Sequence, residues 1–304
     1  MCRYWLMWGT ARIGIRRINE RFKQVMRIDE EQLLLFVDKM PAFRSSVQRL
    51  LQLAADINAD SRQIVEVIEA DPLMTVKILK VINSPFYGLA QKISSVQRAV
   101  VHLGINTIKN IALSVAAMGV LPAQNAAGFD DRAFLLHSLS CAAICKLLAE
   151  RLKVPAMQSS DFFVAGLLHD FGKVVFAQYL PNHYKQVLQI CLERQSSLNL
   201  VETELWGIDH SQAGKLLAQH WGLADELIQT IDHHHSQQPR SQLSDCLFAA
   251  NQISKKLGFG FAGNPVIEEF SVETLPCFGM DIDELILELG DLAAIRAEAL
   301  AYIE

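Results

Sequence analysis

Residues 162–173 read Phe162-Phe163-Val164-Ala165-Gly166-Leu167-Leu168-His169-Asp170-Phe171-Gly172-Lys173. The stretch is apolar around the whole circumference of a helix, the mark of a helix buried on all sides. It therefore carries His169 and Asp170 into a core. A carboxylate taken out of water is very costly unless it is paired. A divalent metal is one solution and a mutual His–Asp hydrogen bond is another. A helix buried this way needs other helices around it, and the rest of the chain supplies candidates.

Upstream, Asp29 with Gln32 resembles a capping box ahead of Leu33–Val37, and Asp60 with Gln63 repeats the device. Asp71-Pro72 places a capping side chain before a proline at the first helical position, and Asn83–Gly88 is dense in turn residues that end that helix. Apolar spacing predicts helices over Val96–Leu103, Ile105–Met118, Arg132–Arg151 and Asp161–Phe171, and then over His183–Arg194, Ser211–Trp221, Ala224–His234 and Gln242–Leu257. Strand-like alternation is hard to find. The expected fold is all-α and two-lobed: a first helical lobe over 28–121, a second over 122–258, and acidic helices over 259–304, capped by Asp281, that pack back on the core. Gly258, Gly260 and Gly263 close the second lobe and match no phosphate-loop spacing.

Three more helices bring a histidine to an apolar stripe. His137 shares one with Cys141, Ile144 and Leu148; His210 precedes Ala213, Gly214, Leu217 and Trp221; His234 follows Leu227 and Ile231. His233 follows Glu226 and Thr230 on the polar side. Imidazole and carboxylate groups on facing helices are how helical bundles build transition-metal sites. A single histidine of this kind is more often a satisfied core residue, and it is the convergence of several with Asp170 that points to metal. Cys141 and Cys145, one turn apart on a helix, could be metal ligands but more commonly read as small buried hydrophobes; His102 and His220 read as residues at the rim of helix packing, and Trp206 and Trp221 as core anchors.

The 304 residues are 51% hydrophobic and 20% charged, which excludes wholesale disorder. No apolar run reaches the roughly 18 residues that cross a bilayer, so an integral membrane protein is not expected. The six cysteines form no CxxC pair, which suggests a reducing cytoplasm. Net charge is −5, yet residues 1–27 carry +6, leaving −11 on the rest. A body that acidic repels phosphate backbones, so nucleic acid is not an expected partner. The basic tail reads as a disordered extension that adds nothing to the fold, with a weak amphipathic contact to a membrane or partner as the other reading.

Gly166-Leu-Leu-His169-Asp170-Phe-Gly172-Lys173 resembles the HD signature of the metal-dependent phosphohydrolase superfamily. The surroundings resemble its HDOD branch, the HD-related output domain of bacterial signalling proteins. These include Met40-Pro41, Asp71-Pro72, Lys77–Ser84, Ile93–Val96, Leu103-Gly104, Glu202–Gly207, Asp209-His210, Trp221 and His233–His235. The resemblance implies metal-ligand positions at His137, His169, Asp170, His210 and His234, holding a divalent transition metal such as iron or manganese. It places Asn251 where catalytic relatives carry a late Asp, which removes one negative charge; Asp245 is nearly two turns away and cannot substitute. Lys173 falls where related cyclic-dinucleotide phosphodiesterases face substrate phosphate, although a lysine favoured by a helix C-terminus is an equal reading. If the chain is an enzyme, Asp170 and Lys173 are its catalytic candidates. The resemblance implies a signal-transduction regulator, non-catalytic or vestigially catalytic, that binds a partner protein or a nucleotide. The alternatives are a metal-dependent phosphohydrolase of nucleotides or cyclic dinucleotides, and an interaction protein with an empty pocket. Three features would serve a binding role: the first lobe, the turn around Phe86-Tyr87 and the helical cleft.

Overall fold

The buried stretch at 162–177 lies at the centre of a helical assembly, seen in a computed structural model that describes residues 27–40, 46, 49, 53, 60–84, 89, 91–119, 126–235 and 241–303. Among these residues every regular element is an α-helix. The basic tail and the turn at Phe86-Tyr87 lie outside them.

The first part of the chain forms α1 (Glu30–Lys39), α2 (Ser61–Glu69), α3 (Pro72–Ile82), α4 (Val96–Leu103) and α5 (Ile105–Met118). Asp29, Asp60 and Asp71 each cap a helix through a side-chain oxygen, accepting from the backbone of Gln32, Arg62 and Met74 respectively. The reciprocal boxes expected at Asp29 and Asp60 are not formed. Full boxes occur instead at Asp209/Gln212 and Asp281/Glu284. Helices α2 to α5 pack on one another, and α5 docks on the second lobe through α7 (Ala156–Leu168). The buried residues Ile108, Ile111, Ala112 and Val115 supply that apolar stripe. Helix α1 packs against the second lobe directly, with Phe36 stacked on Tyr179 at 5.5 Å.

The second lobe is built around α6 (Asp131–Arg151) and α7, followed by α8 (Gly172–Tyr179), α9 (Pro181–Arg194), α10 (Leu198–Trp206), α11 (His210–His220), α12 (Asp225–Asp232) and α13 (Gln242–Lys256). By length and composition α6 could cross a bilayer, contrary to the expectation that no segment qualifies. Its apolar surface is spent differently, since α7, α13 and the terminal helix α15 (Ala293–Ile303) cover it. Helix α14 (Ile282–Leu289) is tied to α6 by Arg151, which meets the Glu288 carboxylate at 2.8 Å.

Two glycines of the central motif set the distances between helices. A Cβ on Gly166 would stand 2.6 Å from the Ala142 Cα of α6, and one on Gly172 would stand 1.9 Å from the His210 carbonyl oxygen of α11. Contacts that short are impossible for any side chain, so glycine lets α7 close on α6 and α8 close on α11. Both contacts lie beside histidine-bearing segments.

Candidate metal centre

The helix predicted to run through Phe171 ends at Leu168 and restarts at Gly172, so His169 and Asp170 sit in the intervening turn, at the middle of the lobe. His137 projects from α6, His210 opens α11, and His234 lies two residues past the end of α12. The structure brings these residues together with Lys173, and none of the six exposes more than 4% of its surface.

The Asp170 carboxylate is the hub. Its Oδ2 lies 3.3 Å from His169 Nε2 and 3.7 Å from His137 Nε2. Its Oδ1 lies 3.4 Å from His210 Nε2 and 3.6 Å from His234 Nε2. These separations exceed the ordinary hydrogen-bond range of roughly 2.7–3.2 Å, so the rings surround the carboxylate without engaging it tightly. Each ring is held from behind by its other nitrogen. The Nδ1 atoms of His169, His234, His210 and His137 meet Gly166 O at 2.9 Å, Ile231 O at 2.6 Å, Glu202 Oε2 at 2.5 Å and Ser254 Oγ at 3.2 Å. Anchoring one nitrogen so that the other faces a common point is how metal-binding imidazoles are oriented.

Three inward ligand atoms, His169 Nε2, His234 Nε2 and Asp170 Oδ1, are buried with no hydrogen-bond partner. Folded proteins pair such atoms almost without exception. A divalent cation would satisfy all three. The possible ligand atoms fall into two groups, Asp170, His210, His234 and His235 on one side and His137, Cys141 and His169 on the other, each within 4.8 Å internally. The donor set, imidazole with carboxylate, suits a first-row transition metal. The cluster could therefore bind metal.

Lys173 departs from both sequence readings. It lies in the first turn of α8, not at a helix C-terminus, and it is buried instead of facing a cleft. Its Nζ donates to Asp170 Oδ2 at 2.6 Å and to Ala262 O at 2.9 Å. Asn251 is buried on α13, one residue beyond Ala250, whose carbonyl accepts from the Cys141 thiol. The Asn251 Oδ1 has no hydrogen-bond partner.

Electrostatics separate the histidines. Burial pushes His137 and His235 well below the usual imidazole range and His234 down to about 4, so these rings are neutral. Burial acts the same way on His210, but the Glu202 carboxylate overrides it and raises the ring to about 9. Burial alone would raise Asp170, but the neighbouring His169 and the Lys173 ammonium hold it well below the carboxylate range. Burial keeps the Cys141 thiol protonated.

The sequence reading missed Ser254, gave Glu202 and His235 no role at the site although both lie in stretches that match the family, and favoured packing over metal ligation for Cys141. His235 Nε2 lies 2.8 Å from His210 Nε2, and Cys141 Sγ lies 3.5 Å from His137 Nε2. Helical spacing could not find His235, because α12 stops at Asp232 and the chain turns before it. The adjacent pair His234-His235 was the available signal. Thr230, expected on the polar face with the exposed His233, is buried and sits 3.4 Å from Ser244 Oγ. His102 and His220 are exposed, as rim residues should be, and Trp206 and Trp221 are buried against aromatic neighbours.

The HDOD domain model matches residues 40–237, well over half of the chain. The chain belongs to the HDOD family. A solved structure of an HDOD domain protein from Geobacter sulfurreducens superposes with a TM-score of 0.70 at 24% identity, covering 89% of this chain and 98% of that one. Another from Shewanella amazonensis SB2B, named "Putative phosphohydrolase", gives 0.70 at 23% identity, covering 90% and 98%. At such identities the likeness shows the fold. An uncharacterized protein of Treponema pallidum (strain Nichols) is 26% identical over 200 residues, 66% of this chain. The match spans only 38% of that relative. Ser254, Ala262 and the rest of 238–303 lie outside the HDOD match, yet Ser254 holds His137 and Ala262 holds Lys173. The C-terminal segment of this HDOD protein completes the centre.

Proposed function

We propose that this HDOD protein is a signal-transduction regulator whose second lobe holds a divalent transition metal, manganese or iron, and binds a nucleotide or a partner protein, with turnover absent or very slow. The residues that would hold the metal are His137, His169, Asp170, His210 and His234, with His235 and Cys141 beside them. Such a cation supplies Lewis-acid polarisation of a phosphoryl oxygen or lowers the pKa of a bound water.

The observation that carries the regulatory reading is the enclosure of the centre. All of its charged groups are buried, and Lys173, which would neutralise a phosphoryl oxygen in an open site, already spends its ammonium on Asp170 and a backbone carbonyl. Asn251 withholds the carboxylate that a catalytic relative would add, leaving a second cation least well held. The intact His/Asp set supports the competing reading, a metal-dependent phosphohydrolase of nucleotides or cyclic dinucleotides. One experiment separates them. Full-length protein loaded with manganese is incubated with cyclic dinucleotides and nucleoside monophosphates, and products are followed chromatographically. The regulator shows no product above the metal-only control. Robust turnover that His169→Ala abolishes establishes the enzyme instead.

A further inference from the structure

A small cavity of about 90 Å³ opens beside His137, roofed by the loop that follows α13 and lined by Lys255, Gly260, Ala262 and Asn264. The loop is pinned down firmly. Gly260 has φ +78°, and a Cβ there would stand 2.3 Å from Ala133 O and 2.5 Å from His137 N, so only glycine lets the roof sit on α6. The Phe261 backbone N–H then donates to Ala133 O at 3.0 Å.

Two side chains in this lining are unbalanced. Lys255 donates to Val266 O at 3.1 Å but has no ion-pair partner among the described residues. Lys173, the neighbouring cation, is already matched to Asp170. Asn264 is buried; its Oδ1 accepts from Val266 N at 3.1 Å, while its amide nitrogen has no partner at all. The pocket thus holds one cation that the Asp170 and Glu268 carboxylates reach only from beyond ion-pair distance, and one unused neutral donor; its walls offer no carboxylate. A half-buried cation is stabilised by a counter-charge, and a buried amide N–H₂ needs an acceptor. A small oxyanion provides both.

We infer that this cavity is an anion subsite for a terminal phosphoryl group, held by the Lys255 ammonium and the Asn264 amide next to the metal centre. At this size it admits a tetrahedral oxyanion and not a base or sugar, since pockets for whole organic ligands run from roughly 300 to 1,000 Å³. The body of the ligand stays outside, over the loop at 260–267. Phosphate recognition here needs no glycine-rich nest, which is why the glycine spacing gave no sign of it. The inference deepens the regulatory reading by giving the ligand its chemistry: a phosphate ester whose charged end enters beside His137.

The test uses full-length protein and inorganic phosphate as probe. Isothermal titration is run on chelator-treated and manganese-loaded samples, with manganese content measured on each. The wild type binds phosphate saturably. Lys255→Met and Asn264→Asp, the second placing a carboxylate where an acceptor should sit, each weaken binding by about tenfold or more. Lys255→Arg keeps the charge and retains binding, and it guards against a folding defect in Lys255→Met, which thermal melting also monitors. Phosphate affinity that is absent in wild type, or equal in wild type, Lys255→Met and Asn264→Asp, overturns the subsite. Failure of the metal reading looks different: no manganese is retained while phosphate still binds.

Discussion

The two lobes use the same secondary structure, but only one of them adds a buried polar cluster to its apolar core. Among the described residues of α2 to α5, the buried set is aliphatic apart from Thr107, whose hydroxyl is satisfied by Leu103 O at 2.7 Å. The second lobe buries four histidines, Asp170, Lys173, Glu202, Asn251 and several serines among its apolar residues. Each aliphatic residue fully buried in the first lobe contributes about 1.5–3 kcal/mol. The polar groups of the second lobe cost stability wherever their pairing is incomplete, and three ligand atoms are left with no partner at all. A bound cation would offset that cost, which is the physical argument for the proposed metal. Among the described residues, the candidate metal ligands all lie in the second lobe.

The largest expected effect comes from closing the gap that glycine leaves. Gly172→Val drives a side chain into the backbone of His210, so α8 and α11 must part. We expect a loss of at least about 3 kcal/mol, at or beyond the upper end for overpacking, together with loss of metal binding. A variant that melts like wild type would show that the two helices are not packed as described.

Next is Asp170→Asn, which leaves the buried Lys173 ammonium without its counter-ion. Breaking one partner of a buried pair costs about 3–5 kcal/mol, and the metal-free protein should lose that amount in chemical denaturation. Replacing Lys173 by Met as well should restore much of it. If the single variant is as stable as wild type, the pairing at 2.6 Å does not carry the charge of Asp170.

Ile78→Ala sharpens the contrast from the other side. Ile78 is fully buried on α3, and its truncation should cost about 2–5 kcal/mol while leaving the manganese content of the folded protein unchanged. A parallel loss of metal would mean that the lobes are not energetically separable. The smallest effect is expected from Asn251→Asp, which restores a carboxylate at a buried position. It should tighten manganese binding with little change in the fold, and unchanged affinity would place Asn251 outside the ligand set.

These differences explain how much of the molecule could be read from its sequence. The helices of the first lobe follow apolar stripes and capping residues, and α4 and α5 match their predicted limits to the residue. The stripe logic also placed His137, His210 and His234 inward. It reached His234, two residues past α12, and failed at other points where the chain leaves regular helix. Lys173 was misplaced because nothing in an all-apolar run announces the turn at His169–Phe171. His235 lies beyond the end of α12. Ser254 acts on His137 from 117 residues away, a relation that no local period contains, and Glu202 reaches His210 across the turn between two helices. Helix α10 went unpredicted, although its Glu202 orients His210.

The central claim is that the buried His/Asp cluster holds a divalent metal. The most direct test strips full-length protein with chelator, reloads it with manganese, desalts it and measures metal by elemental analysis, beside a His169→Ala/His210→Ala double variant shown to melt cooperatively. The account predicts stoichiometric manganese in the wild type and none above background in the variant. Wild-type protein that retains no more metal than the variant would contradict it.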